Sequence, residues 1–322
     1  MPKVFITSKI PGDAHVILSK NNFKVDANLE DKNLTKDELK KIVREYDAIL
    51  TLVNDKIDED VINAAGSNLK VISNYAVGFD NIDVLAANKK KIIVTNTPGV
   101  ANEAVAEHVF AMMMALSKTL IGADRFVRQG KFKRWDPNIF LSGGVWGKTL
   151  GILGLGKIGS FVGYIAHNGF NMKILYHDIV RSEDFELLDD AEFATQDKVL
   201  KNADFITLHV PLTPQTKHLI SRAQFKMMKE TAFFINTSRG PIVDEAALIW
   251  ALRENEIAGA GLDVFEHEPH IEDELKTLSN VVLTPHTASA TIETRGKMSK
   301  IAAENIVDVI SGKTPFGLVK VG

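Results

Sequence analysis

Thr149-Leu150-Gly151-Ile152-Leu153-Gly154-Leu155-Gly156-Lys157-Ile158-Gly159 is the stretch from which the architecture can be read. Its first five residues form a short apolar run that reads as a buried strand, and Ser160 to Asn168 follows with helical character. Between them stands G-x-G-x-x-G. Glycine clusters also make plain turns, so the pattern gains meaning only from the strand before it and the helix after it. In that setting Gly154 permits the tight turn, Gly156 lets backbone approach a pyrophosphate, and Gly159 lets helix and strand pack closely. The unpaired N–H groups at the helix start then bind the phosphates. About twenty residues on, Asp178 ends the run Lys173-Ile174-Leu175-Tyr176-His177. A carboxylate there accepts from ribose hydroxyls and repels a 2′-phosphate, which predicts NAD. Arg181, three residues further, would suit a 2′-phosphate, so NADP stays possible.

Outward from this loop, β-branched runs alternate with helix-period segments along the whole chain. Towards the N-terminus, Lys3 to Thr7, Tyr46 to Leu52, Leu69 to Asn74 and Ile92 to Thr95 read as strands, with helices over Pro11–Asn21 and Asp58–Ala65. Towards the C-terminus the strands are Lys173–Tyr176, Phe205–Val210, Ala232–Asn236, Gly261–Val264 and Val281–Thr284, and a helix covers about Thr291 to Ile310. Such alternation predicts an α/β protein with parallel, doubly wound sheets, six strands in the second. Asn102 to Lys118 is helical and apolar almost all round, so it is expected to be buried, with Met112-Met113-Met114 as packing. Arg125 to Pro137 reads as a mixed-charge loop.

The 322 residues are 45% apolar and 25% charged, the balance of a globular chain of about two domains. With 38 Lys plus Arg against 41 Asp plus Glu, the net charge is −3, and the pI is 6.3. No global basic field exists to hold nucleic acid or an anionic membrane. The basic stretch Lys131, Lys133, Arg134 reads as a solvated loop edge. Cysteine is absent, which excludes disulfides, thiolate nucleophiles and Cys-ligated zinc, and suits a reducing compartment. Met1 to Ile10 lacks the pattern of a secretory signal, and Val109 to Leu116 is too short to span a bilayer. A cytoplasmic protein is expected, with neither nucleic acid nor membrane as a partner.

Ligands of doubly wound folds sit beyond the carboxyl ends of the strands. That rule selects Arg239 after Phe233–Asn236, Glu268 after Gly261–Phe265, and His286 after Val281–Leu283. An Arg, a Glu and a His are the groups needed to reduce a 2-oxo acid. Arg239 can clamp carboxylate and carbonyl with its planar fork. His286 can protonate the carbonyl oxygen while hydride reaches the carbon, and Glu268 can favour and orient the imidazolium. Alone, Arg239 would pass for a loop ion pair and His286 for a strand terminus. His267, Glu268 and His270 would also suggest a metal, but Pro269 breaks the spacing, and no metal is expected. His209, before Pro211 at a strand end, is placed beside the cofactor cleft.

At this point the chain resembles the D-isomer-specific 2-hydroxyacid dehydrogenase family, and within it most the glyoxylate/hydroxypyruvate reductases. The resemblance runs over nearly the whole chain. It is carried by Val77-Gly78-Phe79-Asp80-Asn81-Ile82-Asp83, Asn96-Thr97-Pro98-Gly99, Gly147-Lys148-Thr149-Leu150-Gly151-Ile152, the glycine loop, and His209-Val210-Pro211-Leu212-Thr213. Ile235-Asn236-Thr237-Ser238-Arg239-Gly240, Gly259-Ala260-Gly261-Leu262-Asp263-Val264-Phe265-Glu266 and Leu283-Thr284-Pro285-His286 complete it. Two positions depart from the family pattern: Ala288 stands where Gly is frequent, and His177 stands where NAD-preferring members carry the acidic residue, one place before Asp178.

The resemblance implies Arg239, Glu268 and His286 as the catalytic set and Asp263 as a contact to the nicotinamide carboxamide. It extends the cofactor contacts to Lys157, Ile158, Val210, Pro211, Thr237, Ser238, Arg239, His286 and Ala288. Backbone N–H groups near Val77 and Gly78 would take the substrate carboxylate, with Leu52 and Val53 beside the substrate. Residues 1–97 and 290–322 would form a flavodoxin-like substrate domain, and 98–289 a Rossmann domain for NAD(P) inserted into it. Helices near Asn102 and Thr291 would cross the hinge. The implied activity is reduction of glyoxylate or hydroxypyruvate to the (R)-2-hydroxy acid, by a homodimer built through the nucleotide domain. D-lactate dehydrogenase, a short phosphoglycerate dehydrogenase, and an NAD(H)-sensing binding protein of the same fold are the rivals. For a phosphorylated substrate, Lys56 and Lys70 exist but do not cluster.

Overall fold

The computed structural model describes residues 1–30 and 32–320; Asp31, Val321 and Gly322 lie outside the described residues. In chain order the elements are β1 (Lys3–Ile6), α1 (Ala14–Lys20), β2 (Lys24–Ala27), α2 (Lys36–Glu45), β3 (Ala48–Thr51), α3 (Glu59–Asn63), β4 (Val71–Asn74), α4 (Val84–Lys89) and β5 (Ile93–Thr95). There follow α5 (Asn102–Ser117), α6 (Leu120–Arg128), β6 (Thr149–Leu153), α7 (Lys157–Phe170), β7 (Lys173–His177), α8 (Glu183–Asp189), β8 (Ala191–Phe193), α9 (Gln196–Asn202) and β9 (Phe205–Leu208). The chain continues through α10 (Arg222–Phe225), β10 (Phe233–Asn236), α11 (Glu245–Arg253), β11 (Gly259–Leu262), α12 (Asp273–Thr277), β12 (Val281–Leu283) and α13 (Ile292–Ile310). They form two compact units, Met1–Ala101 with Ala290–Gly322, and Asn102–Ser289.

The first unit holds a parallel sheet in the order β2-β1-β3-β4-β5. Strands alternate their side chains between faces. Val4, Ile6, Ala48, Leu50 and Val71 enter one core with Leu18 of α1 and Met298, Ala302 and Ile306 of α13. Ile49 and Ile72 enter the other, with Leu39, Val43, Val61, Ile62 and Ala87 of α2, α3 and α4. Because helices cover both faces, β3 and β4 are buried at every residue and show no apolar/polar alternation; even the polar Thr51, Ser73 and Asn74 at their carboxyl ends are buried.

The second unit holds a seven-stranded parallel sheet in the order β12-β11-β10-β9-β6-β7-β8. From β6 the chain runs outward to β7 and β8, then returns to β9 on the other side of β6. The switch crevice therefore opens at the carboxyl ends of β6 and β9. One face packs Leu150, Ile152, Tyr176 and Ile235 under α5 and α7; the opposite face packs Ile206, Leu208, Phe234 and Leu262 under α9, α10 and α11. Met112 and Met113 of α5 are buried packing. A Cβ on Gly261 would stand 3.0 Å from that of Met112, so this glycine lets α5 lie close on β11.

Both sheets are the doubly wound α/β architecture that the alternation predicts, with three corrections. The second sheet has seven strands, not six: β8, Ala-Glu-Phe, is an edge strand with partly exposed residues. In the first sheet β2, Lys-Val-Asp-Ala, was equally invisible. Edge strands pair on one side only and tolerate charge, so no apolar run announces them. The segment read as a loop from Arg125 is helical to Arg128, because α6 continues through it. No residue of α6 is buried, so its apolar residues pack into neither core.

Candidate active site

The glycine loop joins β6 to α7 at the switch crevice. Gly154 has φ +89°, and a Cβ there would stand 2.7 Å from the Val210 backbone nitrogen; only glycine accepts both the dihedral and the crowding. A Cβ on Gly159 would stand 2.4 Å from the Gly154 carbonyl oxygen, so this position sets how closely α7 returns to the loop. Gly156 differs, since a Cβ there would meet nothing within 4 Å. Its bare backbone faces open space, as a loop that admits a phosphate requires. Lys157, Ile158 and Gly159 form the first turn of α7, whose N–H groups have no intrahelical acceptor.

A cavity of about 1210 Å³ runs from Leu155, Gly156 and Lys157 past Tyr164 to Asp178 and Arg181. Asp178 closes the loop from the β7 side: Oδ2 accepts from the Leu155 N–H at 2.7 Å, and Oδ1 from the Val180 N–H at 3.2 Å. Arg181, the candidate 2′-phosphate ligand, is engaged by Glu186 through two hydrogen bonds, 2.9 and 2.6 Å long. His177 points its Nδ1 at the Ala194 carbonyl, 2.9 Å away, and is half-buried. The cavity is lined by the glycine loop and the residues after β7, and includes neither His286 nor Glu268.

Three neighbouring strand ends carry the rest. Asn236, the last residue of β10, templates the turn after it. Its Oδ1 accepts from the Ser238 N–H, and its Nδ2 donates to the Arg239 carbonyl, both at 3.0 Å. Ser238 donates its hydroxyl to the Val210 carbonyl at 2.5 Å, tying this turn to the segment holding Val210 and Pro211. The Thr237 hydroxyl is buried without a partner among the described residues. A buried hydroxyl with no protein partner at the carboxyl end of β10 fits a site shaped for a polar ligand. These features fit a dinucleotide: Lys157 to Gly159 would hold its phosphates, and Asp178 its ribose.

Past β11, Asp263 is completely buried and acts as a hub. Oδ1 accepts from the Thr284 hydroxyl at 2.6 Å and the Thr287 N–H at 2.7 Å; Oδ2 accepts from the Ala288 N–H at 2.8 Å. The His286 N–H reaches the Asp263 carbonyl at 2.9 Å. One residue thus holds the whole 284–288 loop, in which His286 sits at φ +54°. A left-handed backbone is uncommon for histidine and persists only where its surroundings over-determine it, as Asp263 does here. His108 of α5 adds a contact from Nε2 to the Thr284 hydroxyl at 3.0 Å.

His286 Nδ1 lies 2.9 Å from Glu268 Oε2, while Glu268 Oε1 accepts from the Phe265 N–H at 2.9 Å. Burial alone would raise the Glu268 pKa. The His286 hydrogen bond and charge, the Phe265 amide and the nearby charge of Arg239 outweigh it, so the carboxyl is held below its usual value. A depressed carboxylate contributes stability above its unfolded pKa and loses it as pH falls through the folded one. Glu268 is therefore expected to stay ionised and paired down past pH of about 4.3, the ordinary glutamate value. A pH–rate profile with an acid limb assigned to this group at or above that value would contradict the pairing. The Arg239 guanidinium bonds the Ser238 carbonyl at 2.8 Å. Elsewhere, burial pushes His209 down to about 3, so it is neutral; its Nε2 lies 3.0 Å from the Thr207 hydroxyl. Among the described residues no group of three or more His, Asp or Glu is placed to hold a metal.

In the first unit, Leu52 and Val53 follow β3, and Val77 and Gly78 follow β4; these two strands are hydrogen-bonded neighbours. Asparagines that sequence reasoning passed over shape this edge. Asn81 Nδ2 donates to the Leu52 carbonyl at 2.9 Å, Asn96 to Val77 at 2.7 Å and Asn74 to Gly78 at 2.9 Å. With their carbonyls so held, the N–H groups of Val77 and Gly78 have no partner among the described residues. Asn74 ends β4 as Asn236 ends β10, and asparagine at a strand end is the signal that would have found both.

Comparison with known proteins gives the same answer. The D-isomer specific 2-hydroxyacid dehydrogenase NAD binding domain matches residues 110–288. The chain is 46% identical over 320 residues to a glyoxylate reductase of Korarchaeum cryptofilum, covering 99% of this chain and 96% of that protein. Among solved structures, the TT0316 protein of Thermus thermophilus superposes with a TM-score of 0.91 at 37% identity, covering 99% of this chain and all of that one. An acyclic imino acid reductase, Bsp5, in complex with NADPH and D-Arg superposes with a TM-score of 0.87 at 28% identity, covering 99% of this chain and 100% of that chain. With the glycine loop at the switch crevice and the match spanning more than half its length, the chain belongs to the D-isomer specific 2-hydroxyacid dehydrogenase family and is an NAD(P)-dependent oxidoreductase.

Proposed function

We propose that this enzyme reduces glyoxylate, and by extension hydroxypyruvate, to the 2-hydroxy acid. The observation that carries the reading is the His286–Glu268 pair at 2.9 Å, within the electrostatic reach of Arg239. The reductase name of the relatives sharing 46% identity supports glyoxylate over lactate or phosphoglycerate precursors. A nicotinamide nucleotide held by the glycine loop supplies the hydride. Arg239 clamps the substrate carboxylate and polarises the carbonyl with its fork. His286, its Nδ1–H held by Glu268, donates from Nε2–H to the carbonyl oxygen as the carbon is reduced. Glu268 holds the imidazolium before transfer and fixes the ring afterwards. The Val77 and Gly78 N–H groups bind carboxylate, with Leu52 and Val53 beside the substrate. On this reading the unit with β1–β5 is the substrate domain, and that with β6–β12 the nucleotide domain. A panel of 2-oxo acids assayed with NADH and NADPH tests it. Steady consumption of reduced cofactor with glyoxylate is expected; binding of cofactor with no turnover of any 2-oxo acid would instead identify a nucleotide sensor.

Asp178 sets the first barrier to NADPH. Two like charges about 4 Å apart repel by about 4 kcal/mol at an effective dielectric of 20. Solvent reduces this at an open cleft, so Asp178→Ala is expected to raise relative kcat/KM for NADPH over NADH by roughly tenfold. An unchanged ratio would move cofactor choice elsewhere.

The enzyme is proposed to work as a homodimer through α6 and the segment that follows. Trp135 and Leu141 are both 76% exposed, Trp146 69%, Val127 58% and Leu120 56%. So many large apolar groups along one stretch mark an association surface. Trp135→Asp combined with Leu141→Asp is expected to give a monomer by light scattering; an unchanged mass would discard this surface. No single helix among the described residues is long and apolar enough to cross a membrane, although α5 and α6 together, bent by 63°, pass on length and composition. The absence of cysteine supports placing the enzyme in the cytoplasm.

A further inference from the structure

The wall of the nucleotide cavity beyond Asp178 contains a charge arrangement that the reaction does not require. Arg181 lies on this wall with 57% of its side chain exposed, within reach of a ligand there. Yet both edges of its guanidinium are taken, Nε by Glu186 Oε1 at 2.9 Å and Nη2 by Glu186 Oε2 at 2.6 Å. Exposed ion pairs are ordinarily weak because both side chains must be immobilised. This one is bidentate, and its acid is already fixed. Glu186 is only 16% exposed, and Oε1 accepts a further hydrogen bond of 2.8 Å from the hydroxyl of Tyr176. The side chain of Tyr176, a residue of β7, is buried in the core, and its oxygen accepts from the Ser182 N–H at 2.8 Å. Arg181 and Tyr176 together hold the Glu186 carboxyl down to about 2. Glu183 and Asp184 add acids to the same wall.

We propose that Glu186 is a specificity-determining residue that latches Arg181 and withholds it from a 2′-phosphate, so that the adenosine end favours NAD(H) despite carrying a suitable arginine. A 2′-phosphate could recruit Arg181 only by displacing an anion that already satisfies its fork, in a pocket where Asp178 opposes it. The inference rests on reading Asp178 to Arg181 as the adenosine end of the cofactor site.

The test is calorimetric binding of adenosine 2′,5′-bisphosphate and adenosine 5′-monophosphate, which needs no turnover. Glu186→Gln keeps the shape and the tyrosine contact but removes the counter-charge. It is expected to tighten the bisphosphate about tenfold, the scale of one freed charge-assisted fork, and to leave the monophosphate within about twofold. Adding Arg181→Ala to Glu186→Gln is expected to abolish the gain. No tightening in Glu186→Gln overturns the latch. So does a gain that survives loss of Arg181, which would mean simple charge repulsion, or equal weakening of both nucleotides, which would mean a merely structural role. Failure of the unaltered enzyme to bind either nucleotide would overturn the cofactor-site reading itself, a distinct result.

Discussion

Replacing His286 with alanine is expected to cut turnover by about 10²-fold to 10⁴-fold, the usual worth of a positioned general acid. In the proposed mechanism Nδ1 is committed to Glu268, 2.9 Å away, so the transferred proton would leave from the opposite nitrogen. The 284–288 loop is held by backbone and hydroxyl contacts to Asp263, none of which uses the imidazole. Alanine should therefore leave the loop and the fold in place and remove the proton donor. Alanine also accepts the φ of +54° no more readily than histidine, so a small fall in stability accompanies the change. Near-normal turnover in a folded variant would sink the assignment of His286 as acid. Glu268→Gln touches no substrate and acts through His286. Its effect should be smaller in kcat and should move the pH dependence, which a merely structural role would not do.

The second large effect is expected at Gly240, which carries no functional group. A Cβ there would stand 1.9 Å from the Phe265 carbonyl carbon and oxygen and 2.5 Å from the Glu266 nitrogen. All three are backbone atoms, so no rotamer change relieves the clash. Gly240 directly follows Arg239, and Phe265 is the residue whose N–H fixes Glu268. Gly240→Ala must push the arginine segment and the carboxylate segment apart. Forcing atoms into such a packed site costs about 3 kcal/mol or more, a fall in melting temperature of roughly 6 °C or more for a domain of this size. Activity should fall with it, by at least about 10²-fold if the guanidinium moves by as little as about 1 Å. A melting curve within about 1 °C of the unaltered enzyme would show that these strand ends are not packed as described.

How much of this was legible without coordinates depended on the range of the interaction. The glycine loop is local: strand, turn and helix adjoin in sequence, and each glycine answers to its immediate neighbours. Arg239, Glu268 and His286 are far apart in the chain, yet the sequence nominates them together, because a parallel sheet delivers every strand's carboxyl end to one edge. The edge strands β2 and β8 were not readable, since half of what stabilises them lies in a neighbour. Helix α6 was missed beyond Arg125 because the charges of Arg125 and Arg128 dominate that stretch, and none of its apolar residues enters the core.

The residues that position the chemistry were hidden for a related reason. Asp263 was marked as a cofactor contact, but its donors stand more than twenty positions away and share no motif with it. Glu186 lies five residues from Arg181, a spacing that no regular helix face pairs. Asn74, Asn81 and Asn96 bond backbone carbonyls, which every residue carries, so nothing in the partner's identity reveals them.

Sequence by itself determined the architecture and the family, and nominated the candidate side chains, because hydrophobic period, glycine spacing and strand order depend on residue type and position alone. Tertiary structure alone decided which of those side chains are held ready and which are withheld. The 284–288 loop that carries His286 is fixed by Asp263 and its imidazole is paired with Glu268, whereas Arg181, by type an equally good ligand, is occupied by Glu186. The physical reason is that hydrogen bonds and ion pairs act over about 3 Å of space, whatever the length of chain between the partners.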